Sequence, residues 1–478
     1  MQGDETAGLV QVKEQLAACG QSHLLGFWDQ LGAAERTGLL EQIGELDLDK
    51  ISAWVETLIK RAPDAAVHHD GFEPAPSYGI EPTTDAERTL YADALRRGRE
   101  LISAGKVAAF VVAGGQGTRL GFDGPKGDYP ISPIRNKTLF QIFAETIGAV
   151  SRRYGAVCPW YIMTSPMNHI ETVGIFESND FYGLGRDNVF IFQQGTLPNF
   201  AFDGRILMAD KASIARSPDG HGGCIRALAR SGALKDMKDR GVEYLSYWQV
   251  DNPLVKLFDP LFVGLHALDD AQMSSKAVIK NDPKEKVGNF CRIDGKVTVI
   301  EYSDLPDELA EKRRPDGSLA FQLGSIAIHI ISTDFVEKLN TEGFSLPLHR
   351  AVKKIPHIDA NGHPVEPDEP NGVKLESFIF DALPIAERSI ILEIDRAEQF
   401  APVKNAAGVD SAESTRQMMV ERAARWLESA GVAVPRRSDG SPDCLIEIAP
   451  SFALEPEDLP AKAERIAPIR PGDRVYLA

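Results

Sequence analysis

The stretch VVAGGQGTRLGFDGPKGDYPI, from Val111 to Ile131, is the clearest indication of fold class in this chain of 478 residues. It begins with apolar residues typical of a buried strand and then breaks into closely spaced glycines, with Arg119 and Lys126 among them. A strand that ends in such a turn is typical of α/β proteins in which the turn lies against a phosphate. We therefore expect an α/β domain with a ligand at this loop.

The loop matches neither of the two common phosphate-binding motifs. Lys126 is followed by Gly127, so the Walker A spacing G-x-x-x-x-G-K-[ST] does not occur. Gly115, Gly117 and Gly121 give G-x-G-x-x-x-G, and the next strand ends without the carboxylate that a dinucleotide-binding protein places on the ribose. The glycines and the two cations favour a nucleoside triphosphate. A nicotinamide-dependent oxidoreductase and a plain tight turn with solvated cations remain alternatives.

Further short apolar runs alternate with helical segments along the chain. VAAFVVAGG, PWYIMTSP, NVFIFQQG and VEYLSYWQVDNP are each bounded by Gly, Pro or Asn, as in strands that are buried on both faces. We therefore predict a doubly wound, mostly parallel, Rossmann-like central sheet. The segment NFCRIDGKVTVIEYSDL predicts an antiparallel hairpin that turns at Asp294 and Gly295.

The patterns on either side of this sheet suggest three consecutive regions. Residues 1–104 are predicted to be a helical N-terminal region, which includes a helix capped by Thr84 or Asp85 and is interrupted by a segment rich in Pro, Gly and Asp. Residues 105–388 form the expected catalytic domain. Residues 389–478, with strand-like SIILEI and a long helical pattern, form a small C-terminal α+β lobe.

Composition excludes several classes of function. The formal net charge is -17 and no basic tract stands out, which disfavours nucleic acid and anionic membrane surfaces as partners. The five cysteines are far apart and predict neither a disulfide framework nor a zinc site. The first residues show no apolar leader, and no long apolar run follows. We expect a cytoplasmic enzyme.

Ordered motifs give a more specific interpretation. AGGQGTRLG followed by PKG resembles the signature of the eukaryotic-type UDP-sugar pyrophosphorylases, a family of nucleotidyltransferases with a GT-A-like domain. The later segments QQGTLP, PDGHGG, VDNPLVKLFDP, VIEYSDL, PNGVKLESFIFD and PVKNA are most similar in order to the UDP-N-acetylglucosamine pyrophosphorylases. The resemblance runs from roughly residue 12 to 455, and HLLGFWDQL matches the helical start of that family.

The resemblance implies a uridylyltransferase. UTP and a sugar 1-phosphate would be its substrates, and a UDP-sugar and pyrophosphate its products, without a covalent enzyme intermediate. The implied nucleotide-binding residues are Val112, Ala113, Gly114, Gly115, Lys126, Gln194, Gly220, Asp251 and Lys374. Arg119 and Lys126 would neutralise the triphosphate, whereas Gln194 and Gly220 would recognise uracil.

The resemblance also implies a metal ion and a second set of cations. Asp251 ends an apolar run and corresponds to the family's carboxylate for Mg²⁺, or Mn²⁺. Lys374 and Lys404 match lysines that contact phosphates, and we assign Lys404 to the incoming sugar phosphate. A helix-capping role for Asp251 remains an alternative, and from the residues alone the two lysines would be solvated surface groups.

The residues implied around the sugar are His221, Glu301, Tyr302, Ser325 and Lys404. His221 stands where N-acetylglucosamine enzymes usually have Asn, and Ser325 likewise replaces a usual Asn. N-acetylglucosamine 1-phosphate is the expected substrate, and a UDP-glucose, UDP-galactose or broad-specificity enzyme is the alternative. A protein that binds nucleotide without catalysis also remains an alternative.

Overall fold

The loop that follows Val112 begins where an inner strand of a ten-stranded sheet ends. The computed structural model describes residues 2–60, 71–341 and 345–478, with side chains from residue 8 onward. By internal contacts the chain divides into two units. We call Met1–His68, Gly195–Cys224 and Leu346–Ile379 the small unit, and His69–Gln194, Ile225–Ser345 and Phe380–Ala478 the large unit.

The helices of the described residues are α1 (Gln2–Ala18), α2 (Ala33–Gly44), α3 (Leu48–Trp54), α4 (Asp85–Ser103), α5 (Leu139–Tyr154), α6 (His169–Ser178), α7 (Cys224–Arg230), α8 (Ala233–Asp239), α9 (Pro260–Leu268), α10 (Asp307–Ala310), α11 (Thr333–Lys338), α12 (Arg396–Gln399) and α13 (Ala412–Ser429). Within the part of the chain that the structure describes, none of these helices is long and apolar enough to span a bilayer.

The strands are β1 (Glu73–Pro74), β2 (Val107–Val112), β3 (Trp160–Thr164), β4 (Val189–Gln193), β5 (Thr196–Pro198), β6 (Phe200–Ala201), β7 (Met208–Asp210), β8 (Ser213–Ile214), β9 (Arg216–Pro218), β10 (Tyr244–Gln249), β11 (Met273–Ile279), β12 (Gly288–Ile293), β13 (Lys296–Ile300), β14 (Leu323–Ser332), β15 (His349–Lys353), β16 (His357–Ile358), β17 (Pro364–Val365), β18 (Gly372–Glu376), β19 (Ile391–Glu393), β20 (Leu445–Ile448) and β21 (Arg474–Leu477).

The central sheet belongs to the large unit and is mixed. The four apolar runs form β4, β3, β2 and β10, which lie side by side in that order and pair in parallel. Beyond β10 the sheet continues through β14, which is antiparallel to β10, β11 and β12. The prediction of a mostly parallel sheet was therefore wrong, because a strand buried on both faces has the same apolar pattern in either direction.

The predicted hairpin is confirmed. Strands β12 and β13 are antiparallel, with Ile293 opposite Lys296. The two residues between them, Asp294 and Gly295, both have positive φ, at 49° and 76°. This is the backbone conformation that a two-residue turn between twisted strands requires.

Helices cover both faces of the parallel part of the sheet. On one face, Val111, Trp160 and Trp248 belong to a core that also contains side chains of α4, α5 and α9. The helices α4 and α9 approach closely, since a Cβ atom at Gly264 would lie 1.8 Å from the carbonyl oxygen of Ala94. On the opposite face, the hydroxyl of Tyr161 donates to Asp236 of α8 over 2.6 Å.

The start of α4 confirms the predicted cap. The Thr84 side chain accepts from the amide of Glu87, and the Glu87 carboxylate accepts from the amide of Thr84. Residues 61–70 of the predicted Pro- and Gly-rich segment lie outside the described residues. In the small unit, α2 and α3 contribute Leu39, Ile43 and Ile51 to a core shared with β6 and β18.

The C-terminal part of the chain contributes to the large unit. The run SIILEI contains β19, which pairs in parallel with β11 of the central sheet. The long helix predicted after it is α13, and β20 pairs with β21 in parallel. The division at residue 389 remains a prediction about folding domains, as does the division at residue 105.

Candidate active site

The glycine loop after β2 is held by a buried asparagine. The side-chain amide of Asn168 donates to the carbonyl oxygens of Ala113 and Gly115 over 3.0 and 3.2 Å, and its oxygen accepts from the backbone amide of Ser165. Asn168 has no solvent-exposed surface. Sequence reasoning missed this residue, although an Asn that follows a strand and precedes α6 is a signal for such side-chain to backbone bonding.

Gln194 lies directly against this loop. A Cβ atom at Gly114 would stand 2.4 Å from the side-chain oxygen of Gln194. The position of Gln194 is set by its backbone amide, which donates to Thr164 at the end of the neighbouring strand β3 over 2.8 Å. Two of the predicted nucleotide-binding residues are thus in contact, and any side chain at position 114 would displace the amide.

Lys126 returns to the same glycines. Its backbone amide donates to the carbonyl of Gly115 over 3.0 Å, and its Cε atom lies 4.0 Å from where a Cβ atom of Gly115 would be. Arg119 is exposed, in a single turn that follows Gly117. Among the described residues neither cation has an ion-pair partner within 4.0 Å. Both can therefore neutralise a bound anion.

Asp251 and Lys404 are brought together although they are far apart in the sequence. Asp251 follows β10 at the carboxyl end of the parallel strands and is only 8% exposed. The backbone amide of Val403 donates to the carbonyl of Asp251 over 2.8 Å. The next residue, Lys404, donates its backbone amide to Asp410 over 2.7 Å. A carboxylate and an ammonium group thus occur at one edge of the sheet, where α/β proteins bind their ligands.

Asp410 is a second carboxylate at this edge that sequence reasoning missed. Its backbone has a positive φ of 57°, and its carbonyl closes the loop that begins at Lys404. Burial raises the pKa of Asp410, the ammonium group of Lys404 lowers it, and the carboxylate of Asp251 raises it. No periodicity or motif in the sequence indicates this contact, because the loop between Lys404 and Asp410 has no regular structure.

These carboxylates fit the proposed divalent metal. Mg²⁺ typically takes one or two carboxylates and completes its shell with phosphate oxygens and water. Within the described ranges there is no cluster of three or more His, Cys, Asp or Glu residues that could hold a metal ion without a substrate. Asp251 and Asp410 offer carboxylate oxygens, the kind of ligand that Mg²⁺ prefers.

Three of the residues predicted for the sugar, Ser325, Glu301 and Tyr302, lie on or directly after neighbouring strands. Ser325 on β14 pairs with Gly288 on β12, and Asn289 pairs with Ile300 on β13, so that Glu301 follows next to Gly288. A Cβ atom at Gly288 would lie 3.7 Å from the Cβ atom of Ser325. The adjoining Tyr302 is 46% exposed. Ser325 and Glu301 are thus separated only by a residue that has no side chain.

The remaining predicted residues, Gly220, His221 and Lys374, belong to the small unit. Nδ1 of His221 accepts from the backbone amide of Ile379 over 3.1 Å, and the imidazole stacks on Phe378. Because Nδ1 is an acceptor, the neutral ring carries its proton on Nε2 and is a hydrogen-bond donor there. Lys374 on β18 lies 3.5 Å from the carboxylate of Glu376.

Three kinds of comparison with known proteins agree with these motifs. Residues 58–453 match the model of the family described as UTP–glucose-1-phosphate uridylyltransferase. The chain is 37% identical to UDP-N-acetylhexosamine pyrophosphorylase-like protein 1 of Xenopus tropicalis, over 92% of this chain and 91% of that protein. It is 33% identical to UDP-N-acetylglucosamine pyrophosphorylase of Saccharomyces cerevisiae, over 94% of this chain and 96% of the yeast protein.

A solved structure of a pyrophosphorylase also resembles this chain along nearly its whole length. The uridine diphosphate N-acetylglucosamine pyrophosphorylase of Trypanosoma brucei, crystallised with an inhibitor, superposes with a TM-score of 0.81 at 26% identity, and the match covers 98% of each chain. The family match covers more than half of the chain, and the yeast relative matches along nearly its whole length. The chain belongs to the UTP–glucose-1-phosphate uridylyltransferase family, whose members are UTP:sugar-1-phosphate uridylyltransferases.

Proposed function

We propose that this uridylyltransferase acts on N-acetylglucosamine 1-phosphate, forming UDP-N-acetylglucosamine and pyrophosphate from UTP. The observation that carries this proposal is the arrangement in the large unit, where the glycine loop with Gln194 and Lys126 lies at the same sheet edge as Asp251 and Lys404. The names of the Saccharomyces and Trypanosoma relatives support the choice of sugar.

The chemistry requires position and charge more than a nucleophilic side chain. A phosphate oxygen of the sugar 1-phosphate attacks the α-phosphorus of UTP and forms the new P–O bond, while the bond to the β-phosphate oxygen breaks and pyrophosphate leaves. The attacking oxygen is already anionic, so no general base is needed. Lys404 orients the incoming phosphate, and Lys126 and Arg119 neutralise the triphosphate. Lys374 contributes a further phosphate contact.

Uracil recognition and metal binding complete the proposed site. Val112, Ala113, Gly114 and Gly115 give the base and ribose a surface without large side chains. The Gln194 amide and the backbone at Gly220 match the N3–H and carbonyl groups of uracil. Asp251, with Asp410 beside it, would hold Mg²⁺ or Mn²⁺, which would supply charge stabilisation of the leaving pyrophosphate.

Two of the proposed sugar-binding residues favour a second class of substrate, the sugar 1-phosphates without an acetamido group. His221, Glu301, Tyr302 and Ser325 are the proposed sugar-binding residues. An acetamido group offers both a donor and an acceptor, whereas each ring nitrogen of His221 has one function, and Ser325 is shorter than Asn. These two residues favour acceptance of glucose 1-phosphate or galactose 1-phosphate alongside the N-acetylated sugar.

A substrate panel tests the proposal. Purified protein with UTP and Mg²⁺ is mixed with N-acetylglucosamine, glucose or galactose 1-phosphate, and pyrophosphate release is measured. We expect release with N-acetylglucosamine 1-phosphate, and none when NAD or CTP replaces UTP. Binding of UTP without pyrophosphate release with any of the sugars would instead identify a nucleotide-binding protein without this activity.

The basis of sugar selectivity has its own test. We expect the double substitution His221→Asn with Ser325→Asn to raise the ratio of kcat/KM for N-acetylglucosamine 1-phosphate to that for glucose 1-phosphate. A pocket of this kind discriminates by about 1–3 kcal/mol. If the wild-type enzyme prefers N-acetylglucosamine 1-phosphate over glucose 1-phosphate by more than about 1000-fold, or roughly 4 kcal/mol, other residues form the acetamido pocket.

Two finer assignments belong to the same proposal. We infer a Rossmann-like, GT-A-like nucleotidyltransferase domain, supported by the order β4, β3, β2, β10 of its parallel strands. We infer a cytoplasmic location, supported by the cysteines of the described residues, none of which forms a disulfide bond: Cys19, Cys158, Cys224, Cys291 and Cys444.

A further inference from the structure

Asn252 is a buried asparagine whose side chain holds the segment just before Lys404. Only 4% of its surface is exposed. Its Nδ2 donates to the carbonyl of Gln399 over 2.8 Å, and its Oδ1 accepts from the backbone amide of Ala401 over 3.0 Å. The amide thus bridges two peptide groups of one loop, and its oxygen also accepts from the backbone amide of Leu254 over 3.2 Å.

A second set of bonds holds the same segment to its surroundings. The backbone amide of Val403 donates to Asp251, and the hydroxyl of Thr415 donates to the carbonyls of Ala401 and Pro402 over 3.3 and 3.2 Å. The residues that precede Lys404 are therefore hydrogen-bonded to Asp251, the proposed metal ligand, and to the adjacent Asn252.

The other side of the segment is also anchored. The side-chain oxygen of Gln399 accepts from Nζ of Lys276, a fully buried ammonium group, over 2.6 Å. Lys276 in turn forms an ion pair of 2.7 Å with Asp259, the N-cap of α9. Because a buried ion pair tolerates little displacement, Gln399 has a fixed position from which Asn252 can align the loop.

We propose that Asn252 is a positioning residue that sets the place of Lys404 relative to Asp251. The inference rests on the proposed function, in which the metal carboxylate and the lysine act on two phosphates that must meet in line. A misplacement of about 1 Å at such a site lowers turnover by about 100-fold. Asn252 does not touch the reacting atoms, and its effect passes through the loop that ends at Lys404.

A double-mutant cycle between Asn252→Ala and Lys404→Ala tests the inference. We expect Asn252→Ala to lower kcat/KM for the sugar 1-phosphate by about tenfold or more, while the calorimetric Kd for UTP stays within about twofold. In the Lys404→Ala background, Asn252→Ala should lower kcat/KM for the sugar 1-phosphate by less than about threefold, because the lysine through which Asn252 acts is gone.

Two further variants separate positioning from general destabilisation. Asn252→Ser keeps a hydroxyl oxygen that can accept from the backbone amide of Leu254, as Asn252 does, and loses the bridge between Gln399 and Ala401. It should show the same selective loss of sugar-phosphate use as Asn252→Ala, and it serves if Asn252→Ala fails to fold. Asn340→Ala removes an amide that donates to the carbonyls of Ile225 and Val336 elsewhere in the large unit. It should lower the Tm without changing the sugar-phosphate KM.

The outcomes distinguish the inference from the proposed function. If Lys404→Ala alone leaves sugar-phosphate use unchanged, the role assigned to Lys404 is wrong. If Lys404→Ala weakens that use and Asn252→Ala adds a full, independent loss, the proposed function survives and the positioning role of Asn252 is overturned. Equal losses of UTP affinity and sugar-phosphate use in Asn252→Ala would overturn it as well.

Discussion

Asp251, which follows β10, is the residue on which the proposed chemistry depends most, because it is the proposed metal ligand. We expect Asp251→Asn to keep the fold and to lose most Mg²⁺-dependent turnover, since a neutral amide is a poorer ligand. The loss of metal stabilisation should cost several kcal/mol of transition-state binding. Steady-state kinetics across a Mg²⁺ titration measure this effect.

A surface aspartate provides the control for this substitution. Asp316→Asn changes an exposed turn residue and should leave kcat unchanged. Turnover of Asp251→Asn within about threefold of wild type at saturating Mg²⁺, a difference of roughly 0.7 kcal/mol, would count against Asp251 as the metal ligand.

Lys404 and Lys126 are assigned to different substrates. Lys404→Ala should raise the KM for sugar 1-phosphate much more than the Kd for UTP. Lys126→Ala should chiefly weaken UTP binding and lower kcat, because this lysine lies along the glycine loop at Gly115. Calorimetry with UTP and kinetics with varied sugar phosphate separate the two effects, and the exposed Lys235→Ala is the control. Loss of UTP affinity in Lys404→Ala, at an unchanged KM for the sugar phosphate, would exchange the two roles.

At the scale of elements, His266 joins helix α9 to two strands. Its Nδ1 lies 2.7 Å from the hydroxyl of Ser274 on β11, and its Nε2 lies 3.1 Å from that of Ser332 on β14. Burial lowers the pKa of His266 from 6.5 to about 3. The folded state therefore favours the neutral ring, and the unfolded state takes up the proton first as the pH falls.

This shift predicts an acid-dependent loss of stability. The contribution of His266 is complete above about pH 6.5 and decreases as the pH falls toward about 3, by at most about 1.4 kcal/mol per pH unit. Urea unfolding of wild type and His266→Gln at pH 7.5, 6 and 5 measures it. The difference in unfolding free energy between the two proteins should shrink toward acid, and parallel curves would contradict the prediction.

For the molecule as a whole, the net charge of -17 opposes the binding of two polyanionic substrates. Binding should therefore depend on the local cations and on a divalent metal. We expect UTP with Mg²⁺ at 100 times its Kd to raise the unfolding free energy by about 2.7 kcal/mol. Thermal unfolding should show a clear rise in Tm with UTP and Mg²⁺, a smaller one in EDTA, and none with NAD. A rise with NAD alone would favour the oxidoreductase alternative.

Much of the fold could be predicted because its signals are local. The four apolar runs, the hairpin at Asp294 and Gly295, and the cap at Thr84 each depend on residues within a few positions. The direction of β14 could not be predicted, because the apolar pattern of a buried strand does not depend on the direction of its neighbour. The pairing of β19 with β11 could not be predicted either, because the two strands are far apart in the sequence.

The chemical groups of the site can be read from short motifs, because the residue types of the glycine loop, Lys126 and Gln194 carry the proposed chemistry. The way in which distant groups meet depends on tertiary packing. Val403 donates its backbone amide to Asp251, and Asn252 holds the loop of Lys404, through contacts between segments that are far apart along the chain. Such contacts depend on the packing of the whole large unit, and no local pattern of residues encodes them.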